Sequence, residues 1–293
     1  RDDPNQYYYD YISNHRIFRF VNKFHRPSTY DSPYLFALNR SGVDRINLFN
    51  ESEEMKRVSL NYQGVNFDKS WVSDIYIGQP LSNGEHQVYF TTGNTRVSDD
   101  AVNNHKDTLI NDLYIGKLNS DQDQIDITNG FNFINTTFRD VFCIYVDEGT
   151  AWDQPTDDLI FIGSDQGLHV CDYSGLATAV TNPDSSTSAY KVTSILELDS
   201  AKLLVTIHGQ GVFVYETGAT INPWTNLMNS QKVLYNQNPV DVYPIPVGVV
   251  NTLSFTKISP VKTSGITTGY LVTNEFPRNT DSLYPNAFIG LFY

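Results

Sequence analysis

The sequence predicts an all-β chain folded as a single β-propeller of five blades, each with four antiparallel strands, and three observations lead there. The stretches "LIFIGSDQGLHVCDYSG" (Leu159–Gly175) and "LLVTIHGQGVFVYETG" (Leu203–Gly218) share one pattern of apolar run, x-Gln-Gly turn and alternating apolar run, with Gly167 and Gly211 44 residues apart. A repeat of that period marks an array of supersecondary units. Aromatic residues make up 13% of the chain, with 19 Tyr and 17 Phe, and rings suit the pleated faces of strands. No 3.6-residue apolar stripe of useful length argues for a long helix.

The units can be placed in order. Five hairpins are read at Tyr34–Phe49 (turn at Ser41-Gly42), at Gln87–Asn94 with Asn111–Leu118, at Leu159–Cys171, at Leu203–Tyr215, and at Gly269–Glu275 with Asn286–Tyr293. Each pairs two apolar runs across a polar or Gly-bearing connection, the pattern of a β-hairpin. Each is preceded by another strand-like run, starting near Arg16, Trp71, Asp140, Val192 and Val250. Fourth strands are expected at "KRVSLNY" (from Lys56), "QIDITN" (from Gln124) and "KVLYN" (from Lys232). The fifth unit stops after its third strand, while "NQYYYDYIS" (Asn5–Ser13) has no partner of its own. Residues 1–15 are therefore expected to close the ring as the outer strand of the last blade, which would cover a sheet edge. The blades fall near 16–62, 71–135, 140–185, 190–236 and 248–293, one domain over 1–293.

Composition narrows the function. With 33 acidic and 20 basic residues, a net charge of −13, the chain repels a phosphate backbone, so nucleic acid is not an expected partner. No run approaches the length of a membrane helix. Cys143 and Cys171 sit inside apolar runs and read as small buried hydrophobes. The sequons at Asn39, Asn50 and Asn135 are compatible with an extracellular or virion-surface setting. The six His residues show no metal-ligand spacing, and no Gly-rich phosphate loop opens a helix. No cofactor is expected. A calcium ion at the acidic loop "DEGTAWDQPTDD" (Asp147–Asp158) is the one metal reading, beside that of a solvated loop.

The hairpin "LIFIGSDQGLHVCDYSG" resembles the propeller repeat of sensor-type bacterial ectodomains, in which a strand ends in I-G-T/S before a short polar turn. That resemblance implies the fold and leaves function to grafted sites. "SDQG" (Ser164–Gly167) is similar to part of the sialidase Asp-box, but its Asp follows Ser directly and the Trp is missing, so it reads as a turn.

Two functions stay open. The first is a non-enzymatic binding or structural module that contacts other proteins of an assembly, or a surface glycan, through polar loops. Its candidate contacts are Trp152, Trp224, Asp147 and Asp153, because loops on a rigid scaffold carry binding and a Trp in a polar loop is either a partner anchor or a lid on its own blade. An Asn-, Asp-, Tyr- and Thr-rich, Lys-poor propeller resembles domains of phage tail and host-attachment proteins as well as cellular ectodomains. The second is a five-bladed glycoside hydrolase or a glycan-binding lectin, with Asp74, Glu197 and Asp199 as candidate carboxylates. A hydrolase would need a pair of them about 5–10 Å apart.

Overall fold

The structure is a computed structural model. It describes residues 17–21, 33–39, 42–50, 52–67, 70, 72–92, 113–131, 141–149, 155–175, 177–185, 190–208, 210–219, 221, 223–226, 233–234, 242–243, 255–263, 266–274 and 289–292. Apart from one 3-10 turn at Pro155–Asp157, the regular elements among them are all strands.

The first sheet runs in the order β1 (Ile17–Val21), β2 (Tyr34–Asn39), β3 (Gly42–Asn47), β4 (Lys56–Arg57). The second contains β5 (Ser59–Tyr62), β6 (Val65–Asn66), β7 (Val72–Pro80), β8 (His86–Thr92), β9 (Leu113–Leu118) and β10 (Gln124–Phe131), in the order β6-β5-β10-β9-β8-β7. The third is β11 (Val141–Asp147), β12 (Leu159–Ser164), β13 (Gly167–Asp172), β14 (Ala177–Ala179). The fourth is β15 (Val192–Asp199), β16 (Lys202–Ile207), β17 (Gly211–Glu216), β18 (Trp224–Asn226). The fifth holds β19 (Val233–Leu234), β20 (Val242–Tyr243), β21 (Phe255–Thr263), β22 (Ile266–Asn274) and β23 (Ile289–Phe292), in the order β20-β19-β23-β22-β21. Two compact units divide the chain, Arg1–Ile162 with Val170–Thr178 and Gly163–His169 with Ala179–Tyr293.

The protein is all-β with blades of the propeller kind. The expected first strands appear at Ile17, Val72, Val141, Val192 and Phe255. In the first unit β7 lies against β1, β2 and β11, and in the second β21 lies against β15 and β16, so within each unit neighbouring sheets meet along their first and second strands. That is how propeller blades neighbour one another.

The uniform count of five four-stranded blades needs correction, since the sheets carry four, six, four, four and five strands. "KRVSLNY" does not serve as one strand of the first unit. Its start pairs with β3 as β4, and Ser59–Tyr62 crosses to run parallel to β10, Gln124↔Ser59 through Ile127↔Tyr62. "KVLYN" does not complete the fourth sheet either. Trp224–Asn226 does so, and Leu234 of β19 pairs with Leu291 of β23. The expected closing segment, residues 1–15, lies outside the described residues.

Burial follows strand position. Every residue of the interior strand β8 is buried, whereas β10 alternates at its start, with Ile125 and Ile127 inside and Asp126 outside. Phe36, Leu38, Val43, Leu60, Val72, Ile77, Val88, Phe90, Tyr114 and Ile125 form one cluster across the first two sheets, with the Phe90 and Tyr114 rings stacked at 5.3 Å. In the second unit Val192, Leu203, Val205, Val212 and Phe213 are buried, and Ile258 N–H donates to Ser194 Oγ at 3.4 Å. The repeated turn is a repeat of conformation. Gly167 and Gly211 have φ of 118° and 120°, values that L side chains rarely adopt.

Candidate functional site

Asp74, the candidate carboxylate on a first strand, serves the scaffold. It is 2% exposed on β7, where its Oδ1 accepts the Ile75 N–H and its Oδ2 the Ile144 N–H of β11, both at 2.9 Å. Each oxygen is engaged by a backbone donor, so the group clasps two adjacent sheets. A carboxylate held this way has little freedom to exchange protons with a substrate.

The other candidates differ in setting. Asp199 is exposed at the end of β15, where its Oδ1 accepts the Ala201 N–H at 2.9 Å, the turn-capping role common to Asp at strand ends. Glu197 is half-buried on the same strand, paired in register with Leu203. Asp147 is half-buried at the end of β11. Trp152 and Asp153 lie outside the described residues.

Trp224 packs onto its own sheet. Its ring lies 4.8 Å from Tyr215 and edge-on to Phe213 at 6.1 Å, and Nε1–H donates to the Thr181 carbonyl at 2.6 Å. The side chain is half-buried and ties the edge strand β18 to β17 and to the segment after β14. Trp224→Ala is expected to lower unfolding free energy by about 2 kcal/mol, a half-buried share of the usual cost of losing a Trp. Chemical denaturation measures it. Trp224→Phe should recover the ring packing and forfeit only the hydrogen bond.

Sequence reasoning missed a buried polar cluster beneath the acidic loop. Tyr76 of β7 and Tyr89 of β8 are direct cross-strand partners whose rings meet edge to face at 6.2 Å. The Tyr76 hydroxyl donates to Glu148 Oε1 at 3.2 Å, and the Tyr89 hydroxyl donates to Asp158 Oδ2. Asp158 Oδ1 accepts the Gly149 N–H at 3.0 Å, which brings the two ends of the loop together. Tyr145 packs edge-on to Tyr76 at 6.3 Å and Phe161 lies 6.0 Å from Tyr145, which keeps the cluster apolar around its polar tips. Burial raises the Tyr76 and Tyr89 hydroxyls above their ordinary range and raises Asp158 despite the two hydrogen bonds it accepts. Both tyrosines therefore stay neutral donors. The only signal in the sequence was two tyrosines inside apolar strands, which reads equally well as core.

The expected calcium contact at this loop finds its last carboxylate, Asp158, engaged by Tyr89 and Gly149. Among the described residues no three His, Cys, Asp or Glu side chains group in a way that could hold a metal. Cys143 and Cys171 are buried, and burial pushes the Cys171 thiol up to about 12. A thiol with that pKa is not a nucleophile near neutrality.

His169, 3% exposed on β13, is held down to about 4 by burial, against a small upward pull from the Gly167 backbone and Asp165. Its folded pKa lies below the unfolded value of about 6.5, so the unfolded chain takes up the proton first. Stability is complete above about pH 6.5 and falls as pH drops toward 4, by on the order of 2 kcal/mol at pH 5. His169→Gln should lose this component, so melting curves of the two chains at pH 7.5 and pH 5 should diverge.

No known family model matches the chain, and no curated protein matches it. Among solved structures it is similar to YCF48 bound to a D1 peptide (9% identity, 89% of this chain and 60% of that one, TM-score 0.45). It is also similar to the extracellular domain of BT4673 from B. thetaiotaomicron (10% identity, 96% and 33%, TM-score 0.42). A third is an exo-β-1,3-galactanase of Phanerochaete chrysosporium with β-1,3-galactotriose (11% identity, 89% and 56%, TM-score 0.42). The chain spans 33–60% of the length of these three proteins. None of these likenesses carries a residue role across. Among the described residues no helix is long and apolar enough to cross a membrane.

Proposed function

We propose that the protein is a non-enzymatic binding module that presents loops from a rigid β scaffold to protein partners in an extracellular or virion-surface assembly. The observation that carries this reading is the state of Asp74, 2% exposed with both carboxylate oxygens engaged by backbone N–H groups. Catalytic carboxylates need a face open to substrate and opposed pKa values within one cleft. Asp199 instead caps a turn in solvent. Loops need less to bind, and here they spring from strands paired into sheets. The Asn-, Asp-, Tyr- and Thr-rich composition and the net charge of −13 suit a surface setting.

The test pairs a glycosidase screen with capture of the protein's neighbours in its native particle or envelope. No turnover is expected, together with a complex that survives Asp199→Asn and Glu197→Gln and weakens on Trp152→Ala or Asp147→Asn. Hydrolysis of a glycoside abolished by Glu197→Gln would replace this reading with the hydrolase.

A further inference from the structure

The chain between β3 and β4 exposes apolar side chains from a tightly held loop. Leu48, Phe49 and Met55 are 46%, 80% and 50% exposed. Exposed apolar residues on a mobile loop could fold away, but this loop is fixed from within. Asn47 Oδ1 accepts the Phe49 and Asn50 N–H groups at 2.9 and 3.2 Å, and Asn47 Nδ2 donates to Glu53 Oε2 at 2.7 Å. Ser52 donates its N–H and its hydroxyl to Asn50 Oδ1 at 3.3 and 2.7 Å. Leu48 N–H reaches the Pro33 carbonyl at 2.8 Å, and Glu53 N–H the Asn50 carbonyl at 3.1 Å. A loop ordered in advance loses little entropy on binding.

The charge around it is mostly acidic. Glu54 and Asp121 are exposed, and Asp123 is half-exposed. The nearby cations are already committed. Arg45 is buried 4.3 Å over the Tyr34 ring, donates to the Asp121 carbonyl, and lies 3.8 Å from Asp123 and 4.0 Å from Glu53. Lys56 Nζ sits 3.0 Å from Glu53, and Arg57 Nε 2.8 Å from Asp44. What the surface offers a partner is apolar side chains rimmed by carboxylates.

Resting on the binding-module reading above, we infer that the Leu48–Met55 loop docks a segment of another protein in which lysines or arginines flank a bulky apolar side chain. Charge selects this occupant. A second copy would bring the same acidic rim and a further net charge of −13, and an anionic lipid surface would be repelled as well.

The probe is a short fluorescein-labelled peptide with lysines flanking a Leu-Trp pair, titrated onto the full chain by fluorescence anisotropy. Its analogue with glutamates in place of the lysines is run beside it. The lysine peptide should bind and the glutamate peptide should not. Phe49→Ser with Met55→Ser should weaken binding by about tenfold or more, as loss of exposed anchors does. Glu54→Lys should weaken it and flatten its salt dependence. Ile221→Ser, at a site that is 80% exposed and apolar elsewhere on the chain, should change nothing. All four substitutions are at exposed positions, and unchanged melting curves confirm folding.

Equal binding by the double variant would overturn the proposal, because charge alone would then explain the affinity. So would a dimer in sedimentation that the double variant loses, or capture of anionic vesicles by the wild-type chain. If the double variant binds the peptide unchanged while partner capture still depends on Trp152 or Asp147, this inference fails alone. If the chain hydrolyses a glycoside and binds neither peptide nor partner, the binding-module reading fails with it.

Discussion

Asp74→Ala should lower unfolding free energy by about 3 kcal/mol, measured by chemical denaturation at neutral pH. The substitution strands two buried N–H groups, those of Ile75 and Ile144, which donate to Asp74 at 2.9 Å each. An unsatisfied buried donor costs about 1–3 kcal/mol, and two are stranded here. Asp74→Asn keeps an acceptor oxygen for one donor and turns an NH2 toward the other, so it should recover at most half of the loss. The damage should concentrate where β7 meets β11, with faster amide exchange at Ile144 than in the wild-type chain. An exposed catalytic carboxylate would behave in the opposite way, since its removal costs activity and leaves stability nearly unchanged.

Asp158→Ala is the second large effect, about 2–3 kcal/mol, because it removes the acceptor of both the Tyr89 hydroxyl and the Gly149 N–H. Asp158→Asn keeps an oxygen for Gly149 and an NH2 that Tyr89 can accept from, so its cost at neutral pH should stay under about 1 kcal/mol. The pH dependence has a defined sign. Burial raises Asp158 above the ordinary aspartate value of 3.8, so on acidification the folded chain takes up this proton before the unfolded one does. Its contribution is therefore largest in acid and declines as pH rises through the raised pKa. The stability gap between wild type and Asp158→Asn should be widest near pH 4 and narrow toward neutrality. This runs counter to His169, whose lowered pKa makes the wild-type chain weaker in acid.

The strands that begin each sheet were readable because long apolar runs with two-residue alternation have few other uses. The starts at Ile17, Val72, Val141 and Val192 fall within a residue of their expected places, and the last begins at Phe255 where Val250 was expected. Gly167 and Gly211 were readable as turns because their φ values exclude most other residues. The path of Ser59–Tyr62 was not. A four-residue strand shows the same side-chain alternation whether its neighbour is parallel or antiparallel, so nothing local separated pairing with β3 from pairing with β10. β4, β6, β19 and β20 have two residues each, too few to show any period.

Phe49 was read as the end of a strand, yet β3 stops at Asn47, whose side chain takes the next two free N–H groups and turns the chain outward. That short-range competition creates the exposed loop. The roles of Asp74 and Asp158 were illegible for another reason. Their partners Ile144 and Tyr89 lie 70 and 69 residues away in sequence, and a carboxylate aimed at a distant backbone or hydroxyl looks like one aimed at a substrate.

The proposal that the protein acts by binding rests on Asp74 holding the scaffold. Its most direct test measures glycoside hydrolysis and unfolding free energy together on the wild-type chain, Asp74→Asn and Asp74→Ala. The predicted result is no turnover by any of the three, with stability falling in the order wild type, Asn, Ala. Turnover by the wild-type chain that disappears in Asp74→Asn while its unfolding free energy stays unchanged would contradict the claim.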